Sequence, residues 1–557
     1  MIEKILTFLN NEKKFKFIFF VLIVFLCIVK LPFIITDDIQ PWDEGMYATR
    51  VLSIYDNGDF LNQSSHSVQG FYSASHPPLL IWTGYFISLV TGINSVTLKL
   101  IPFILSLLCI YLFMRLGEKI CNPLAGLIAA IFFSSSIIYS VFSIRFQFDI
   151  PYTFLILLSF YIFFLFIEKR KLSYIIAGGV VFGLCLMVKI LVGFFIPMII
   201  FFMFLVLRKK INLRFSDIII FTSVGVLIAL PWHLYMILNY GYEFFNYFLN
   251  YHIIERAFTG VEHNTKNSGF LYHVNYLLSI IPYSSLAFWG LVKYLIGYKS
   301  LTWQKVFLLI WFLTGFFIIT LFKTKLEVYV LLILVPGSLI IGEYLSGINK
   351  TSFKEKLFVL ILTFLNILWY ISFFIRNDMK LRQEGLGKLN VLIPVIIVSL
   401  VLVCFISVFL AKKKDLGKFY YVFIILFFIS LNIYYLFNTP VWENGYKLTP
   451  VKQSIEESNR KNIIYVGTNY RANPQFSFYF NGLNLGWKND KYDFELLDTK
   501  SGEKDIFDRL RKLKNGEFNI IVEKDNINRT DYEDSKNFIP PAFKLIKKTW
   551  GYELYQN

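Results

Sequence analysis

Long stretches of apolar residues alternate with short polar clusters along most of this chain, and that alternation is the strongest signal in it. A helix needs ~20 apolar residues to cross ~30 Å of hydrocarbon. Runs of that kind fall near 15–36, 96–115, 122–143, 149–167, 173–188, 191–208, 215–236, 272–293, 303–321, 327–346, 356–375, 389–411 and 418–437. The pattern therefore predicts about 13 transmembrane helices, with the two ends of the chain on opposite sides of the membrane. A further apolar run, Pro78 to Ile93, is read as a helix lying along the interface. Counting it as a span would put the clusters Arg115/Lys119, Lys169–Lys171 and Arg208–Lys210 outside, against the cytoplasmic bias of basic loops.

Three external segments follow: loops over 37–95 and 239–271, and a tail over 438–557. The tail turns polar and reads as a small α/β domain. Ile463–Gly467 and Phe518–Glu523 look like strands, Asp505–Leu513 like a helix, and Phe543–Tyr555 like a closing hairpin. The domain division is thus 1–437 in the membrane and 438–557 outside it.

Composition agrees with the pattern. Of 557 residues 56% are hydrophobic, 19% aromatic and only 17% charged, whereas a soluble domain carries roughly 25% charge. A soluble enzyme, a disordered chain and a disulfide scaffold are excluded. The net charge of +17 raises the question of nucleic acid. From Val441 onward there are 19 basic and 17 acidic residues, which leaves 36 basic and 21 acidic residues in the preceding part. That excess lies in short inter-span clusters rather than on one face, so no nucleic acid is expected as a partner. The expected location is the plasma (inner) membrane, with a cytoplasmic N-terminus and an extracytoplasmic tail.

Charges retained at the ends of spans call for a reason. Asp43 and Glu44 stand just beyond the first span, where acids also suit the first turn of a helix opened by Pro41. Arg145 and Asp149 join two spans, where a plain ion pair would serve. Lys189 breaks an apolar run, a place from which lysines often snorkel to the surface. Lys325 and Tyr329 lie at a further external turn. All six histidines fall in or beside external segments; His76 precedes Pro77-Pro78, and His252 stands four residues before Arg256, on one helix face. No pair has tight metal spacing. Both signs of charge thus gather on one membrane face, as binding of a lipid phosphate beside a proton-accepting carboxylate requires.

These pieces resemble the polytopic GT-C glycosyltransferases, specifically the protein O-mannosyltransferase and lipid A aminoarabinose transferase superfamily. The resemblance rests on Asp43-Glu44 with Tyr47, His76-Pro77-Pro78-Leu79 with Trp82, Arg145 with Asp149, and Leu184 through Lys189 to Pro197. Leu230-Pro231-Trp232, Tyr251-His252 with Arg256, and Lys325 with Tyr329 and Pro336 complete it, in the family's order. It implies a GT-C fold and inverting transfer of a sugar from a polyprenyl-phosphate donor to a glycolipid, glycan or protein acceptor. Asp43 matches the family's base, with Glu44 and Asp149 in support. Lys189, Arg256 and Lys325 match positions that hold the lipid phosphate, with His76, Arg145 and Tyr329 as further substrate-binding residues. His252 matches a histidine that joins a divalent metal site in the aminoarabinose enzymes. The rival readings are a multispanning transporter or flippase, which would show repeats and mid-bilayer charges, and a glycan polymerase or ligase, which would rely on external arginines.

Overall fold

The computed structural model describes residues 11–67, 70–189, 193–261, 269–281 and 283–383, then 425–429, 432, 447–467, 473–480, 493–498, 509–510, 513, 518–523, 539–549 and 551–557. Among these, seven helices are long and apolar enough to cross a membrane: Lys16–Thr36, Ser95–Ile120, Asp149–Lys169, Phe215–Phe258, Trp303–Leu321, Glu327–Ser346 and Phe353–Phe373. Shorter apolar helices, Pro123–Ser134, Leu172–Leu186 and Ser285–Ile296, pack among them. The spans expected over 389–411 and 418–437 lie outside the described residues, apart from 425–429 and 432.

The differences from an uninterrupted reading of the spans have local causes. The run 122–143 breaks after Ser134, where the hydroxyls of Ser134, Ser135 and Ser136 turn back onto the Ala130, Ile131 and Phe133 carbonyls. Such bonds compete with helix continuation. A new short helix, Ile137–Phe142, then starts with Ser136 accepting from the Tyr139 amide. The run 272–293 stops at Ile280 because Ile281 is extended, as a residue preceding a proline prefers.

Small residues allow the tightest helix contacts. A Cβ on Gly126 would collide with the Met114 backbone, and one on Gly342 with the Ala125 carbonyl. Without an apolar driving force between helices in lipid, such close approach is what holds them. The outer surface is correspondingly greasy, with Leu227, Leu238, Ile361 and Leu365 exposed on long helices. Leu79–Thr91 has 13 residues, about 20 Å of helix and too short to cross. It buries Leu80, Ile81 and Gly84 and exposes Phe86, Leu89 and Val90, as an interfacial helix does.

After Phe245 the chain continues as a ten-residue π-helix, Asn246–Glu255, following a kink at Gly241 with φ 48°. The tail forms a five-stranded sheet of order β2-β1-β3-β5-β4. Here β1 is Asn462–Gly467, β2 Asp493–Asp498, β3 Phe518–Glu523, β4 Lys544–Lys548 and β5 Tyr552–Gln556. β1 runs parallel to β2 and β3, and β4-β5 is the expected antiparallel hairpin. Of the helix expected over Asp505–Leu513, only 509–510 and 513 are described.

Candidate active site

The helix Asp43–Asn57 leaves the first span through a short hinge, and its residues from Glu44 to Ile54 are all buried. Asp43, by contrast, is exposed at its first turn. Its neighbour Glu44 is wholly enclosed: Oε2 accepts from the Gln40 amide at 2.9 Å and Oε1 from the Phe146 amide at 2.9 Å. Glu44 thus ties the hinge to the Arg145 corner.

One turn on, Tyr47 lies under the influence of Asp43, Asp149, Arg50 and Arg256. Burial first, and then the two carboxylates, hold its phenol well above the ordinary range, so it stays protonated. The Tyr47 ring packs on Phe148 at 4.0 Å and edge-on to His76 at 6.2 Å. His76 in turn packs on His252, centroids 4.2 Å apart. Burial, then His252 and the cations Arg50, Arg256 and Lys189, push the His76 imidazole well below its usual pKa. It is a neutral ring ringed by positive charge.

Asp149 begins the span Asp149–Lys169 and interacts electrostatically with Lys189, Asp43 and Arg145. Its Oδ1 is buried and makes no hydrogen bond. The Lys189 ammonium lies 5.7 Å from the Tyr152 ring and 5.8 Å from the Tyr329 ring, a cation held between two aromatic faces. The turn carrying it is fixed to the interfacial helix by the Leu79 amide, which donates to the Met187 carbonyl at 3.0 Å. His252 reaches the site from the π-helix, its Nε2 meeting the Tyr72 carbonyl at 2.9 Å. Arg256 follows that helix, and its carbonyl accepts from the Thr324 amide at 3.0 Å.

Asp43, Asp149, Arg145, Lys189, Arg256, His76, His252 and Tyr329 therefore meet at one end of the helical bundle. Lys325 does not join them with its amine, which caps the Ile319 and Thr320 carbonyls at the end of Trp303–Leu321. Burial lowers its pKa. Sequence reasoning missed Arg50, whose guanidinium donates to Gln63 Oε1 at 2.7 Å and to the Ser73 and His76 carbonyls at 3.1 and 2.7 Å. It fastens Gln63 and the backbone at Ser73 and His76 to the helix that carries Asp43. The available signal was its position seven residues after Asp43, two helical turns along one face. Tyr152 was missed too, three residues after Asp149 and so one turn further along its helix.

Among the described residues no three His, Cys, Asp or Glu side chains stand together. The cations Arg50, Arg256 and Lys189 crowd His76, and His252 Nε2 meets the Tyr72 carbonyl. A site with this balance suits an anion.

Comparison with known proteins bears on the fold. The crystal structure of ArnT from Cupriavidus metallidurans bound to undecaprenyl phosphate matches with a TM-score of 0.63, at 13% identity, over 96% of this chain and 97% of that one. Its apo state gives 0.62 at 14% identity, with the same coverage. The chain has the fold of these ArnT structures. Residues 75–235 of this chain also match the family described as dolichyl-phosphate-mannose-protein mannosyltransferase. That segment includes His76, Arg145, Asp149 and Lys189. An uncharacterized protein of Aquifex aeolicus (strain VF5) is 24% identical over 389 residues, 70% of this chain and 72% of its own length.

Proposed function

We propose that this protein is an inverting glycosyltransferase of the outer face of the plasma (inner) membrane, moving a sugar from a polyprenyl phosphate to a glycolipid, glycan or protein hydroxyl. The observation that carries this reading is the single cluster in which two carboxylates, Asp43 and Asp149, face Arg145, Arg256 and Lys189 around Tyr47 and His76. Asp43, exposed at a helix start, takes the proton of the acceptor hydroxyl. The freed oxygen attacks the anomeric carbon from the side opposite the phosphate, the bond from that carbon to the phosphate oxygen breaks, and the electron pair leaves with the polyprenyl phosphate. Lys189 and Arg256 stabilise the phosphate as its charge grows. Neutral His76 lends a polar face without adding repulsion. Asp149 orients the cations.

The orientation is supported by the opposite end of the bundle, where Arg115/Lys119, Lys169–Lys171 and Arg208–Lys210 close the helices Ser95–Ile120, Asp149–Lys169 and Phe195–Ile211. Basic ends favour the cytoplasm, which supports a site and a tail that face away from it. Mass spectrometry of membrane glycolipids and glycoproteins with and without the protein tests the reading: a sugar-bearing product disappears when the chain is absent. Asp43→Asn fails to restore it, by at least ~100-fold in rate, while binding of undecaprenyl phosphate persists. Full transfer by Asp43→Asn removes the assigned base.

A further inference from the structure

The tail carries little net charge, and among its described residues no three His, Cys, Asp or Glu side chains stand together, yet it grips the segment that presents Asp43. The Lys447 amine donates to the Thr36 carbonyl and to Asp37 Oδ1. Thr449 donates to both oxygens of Asp38, with its amide at 2.7 Å and with its hydroxyl. Tyr479 Oη accepts from the Ile39 amide at 2.8 Å. Between these, Pro474 and Gln475 press on the helix start: a Cβ on Gly45 would lie 2.7 Å from the Gln475 nitrogen and 2.8 Å from Pro474 Cγ.

Gln475 is itself fixed from behind. Its amide nitrogen donates to Tyr552 Oη at 2.6 Å and to Asn473 Oδ1 at 3.0 Å. Asn473 donates to Glu523 Oε1 at 3.2 Å, and Tyr465 donates to Glu523 Oε2 at 2.6 Å. Tyr465 and Glu523 belong to β1 and β3, so buried hydrogen bonds run from the sheet to Gln475, which packs on the hinge at Gly45. On the far side Glu44 holds the same hinge to the Phe146 amide. The hinge needs such a vice. Trp42, directly before Asp43, has φ 61° and ψ −132°, a conformation that a bulky residue keeps only when its surroundings impose it.

We propose that the tail is a positioning device for Asp43: by clamping Thr36–Gly45 from one side while Glu44 anchors it to the Phe146 amide on the other, it sets the height and direction of the carboxylate over the phosphate site. The proposal rests on the transferase reading for its consequence, but the clamp itself is measurable without it. The test compares full-length wild-type protein, in lipid nanodiscs, with Thr449→Ala/Tyr479→Phe, and with Gly45→Val as a variant acting from the hinge side. Hydrogen exchange of the peptide over 39–46 is expected to rise about tenfold in both variants. Undecaprenyl phosphate binding, followed by native mass spectrometry, stays within about twofold because Lys189 and Arg256 are not on the hinge, while product formation in complemented cells falls at least ~10-fold. Thr449→Ser keeps the hydroxyl and behaves as wild type in all three. Unchanged exchange overturns the clamp. Faster exchange with full transfer overturns its role in positioning, and so does loss of undecaprenyl phosphate binding together with a lower unfolding temperature, the mark of a general scaffold. Should wild-type protein form no product, the transferase reading fails, and the exchange difference alone still decides whether the tail holds the hinge.

Discussion

The two ends of the helical bundle treat charge in opposite ways. At one end charges are paired across helices: Lys119 with Glu168 at 2.7 Å, Arg170 with Asp217 at 2.9 Å, Lys305 with Glu343 at 2.6 Å and Lys293 with Glu355 at 3.2 Å. At the other end Asp43, Asp149 and Lys189 are gathered closely enough to feel one another, yet none of the three forms an ion pair with another described residue. Pairing satisfies a charge and ends its availability. Charges held together but unpaired are expensive near lipid, and they persist where something else must meet them.

The contrast can be broken most forcefully at Lys189. Lys189→Gln removes a cation whose surroundings remain intact, and undecaprenyl phosphate affinity should drop ~10- to 100-fold, as expected for loss of one charge-assisted contact; native mass spectrometry reads it. Glu44→Gln probes the brace instead. A carboxamide accepts through one oxygen only, so either the Gln40 or the Phe146 amide is left buried and unmet, at about 1–3 kcal/mol of stability. Thermal unfolding should fall accordingly, and transfer with it.

A smaller effect comes from pH. The His76 pKa is lowered in the folded protein. Above pH ~6.5 the ring is neutral folded or unfolded and contributes nothing. As pH falls below that value the unfolded chain takes up a proton that the folded protein refuses, so stability is lost on acidification, by up to about 2 kcal/mol at pH 5. Unfolding temperatures at pH 7 and pH 5 should differ less in His76→Gln than in wild type. The smallest effect belongs to the paired end. Lys119→Ala breaks a partly exposed bridge and should change stability by under ~1 kcal/mol, leaving transfer rates untouched.

Much of this was legible in the sequence, because lipid forces long apolar runs and because the charges it tolerates are few. Asp43, Asp149, Lys189 and Arg256 could be singled out on that ground alone. Roles were harder to see. Glu44 and Asp43 are adjacent carboxylates with the same chemistry on paper, and only the fold turns one into a brace and leaves the other exposed. Lys325 has the right charge at the right turn, but the unsatisfied carbonyls of its own helix end are nearer than the site. Arg50 escaped notice because a guanidinium satisfied by loop carbonyls leaves no motif. Pairings such as Tyr479 with Ile39 link residues 440 positions apart, and no local pattern announces them.

The π-helix Asn246–Glu255 has a consequence of its own. Its wider winding bonds each residue to the fifth before it, so ten residues there advance less and turn less than they would in the α form. Removing one residue would tighten a turn and swing both imidazole and guanidinium, His252 and Arg256, off the pocket, whereas swapping its outward side chains would not. For this stretch the count of amino acids matters more than which ones they are.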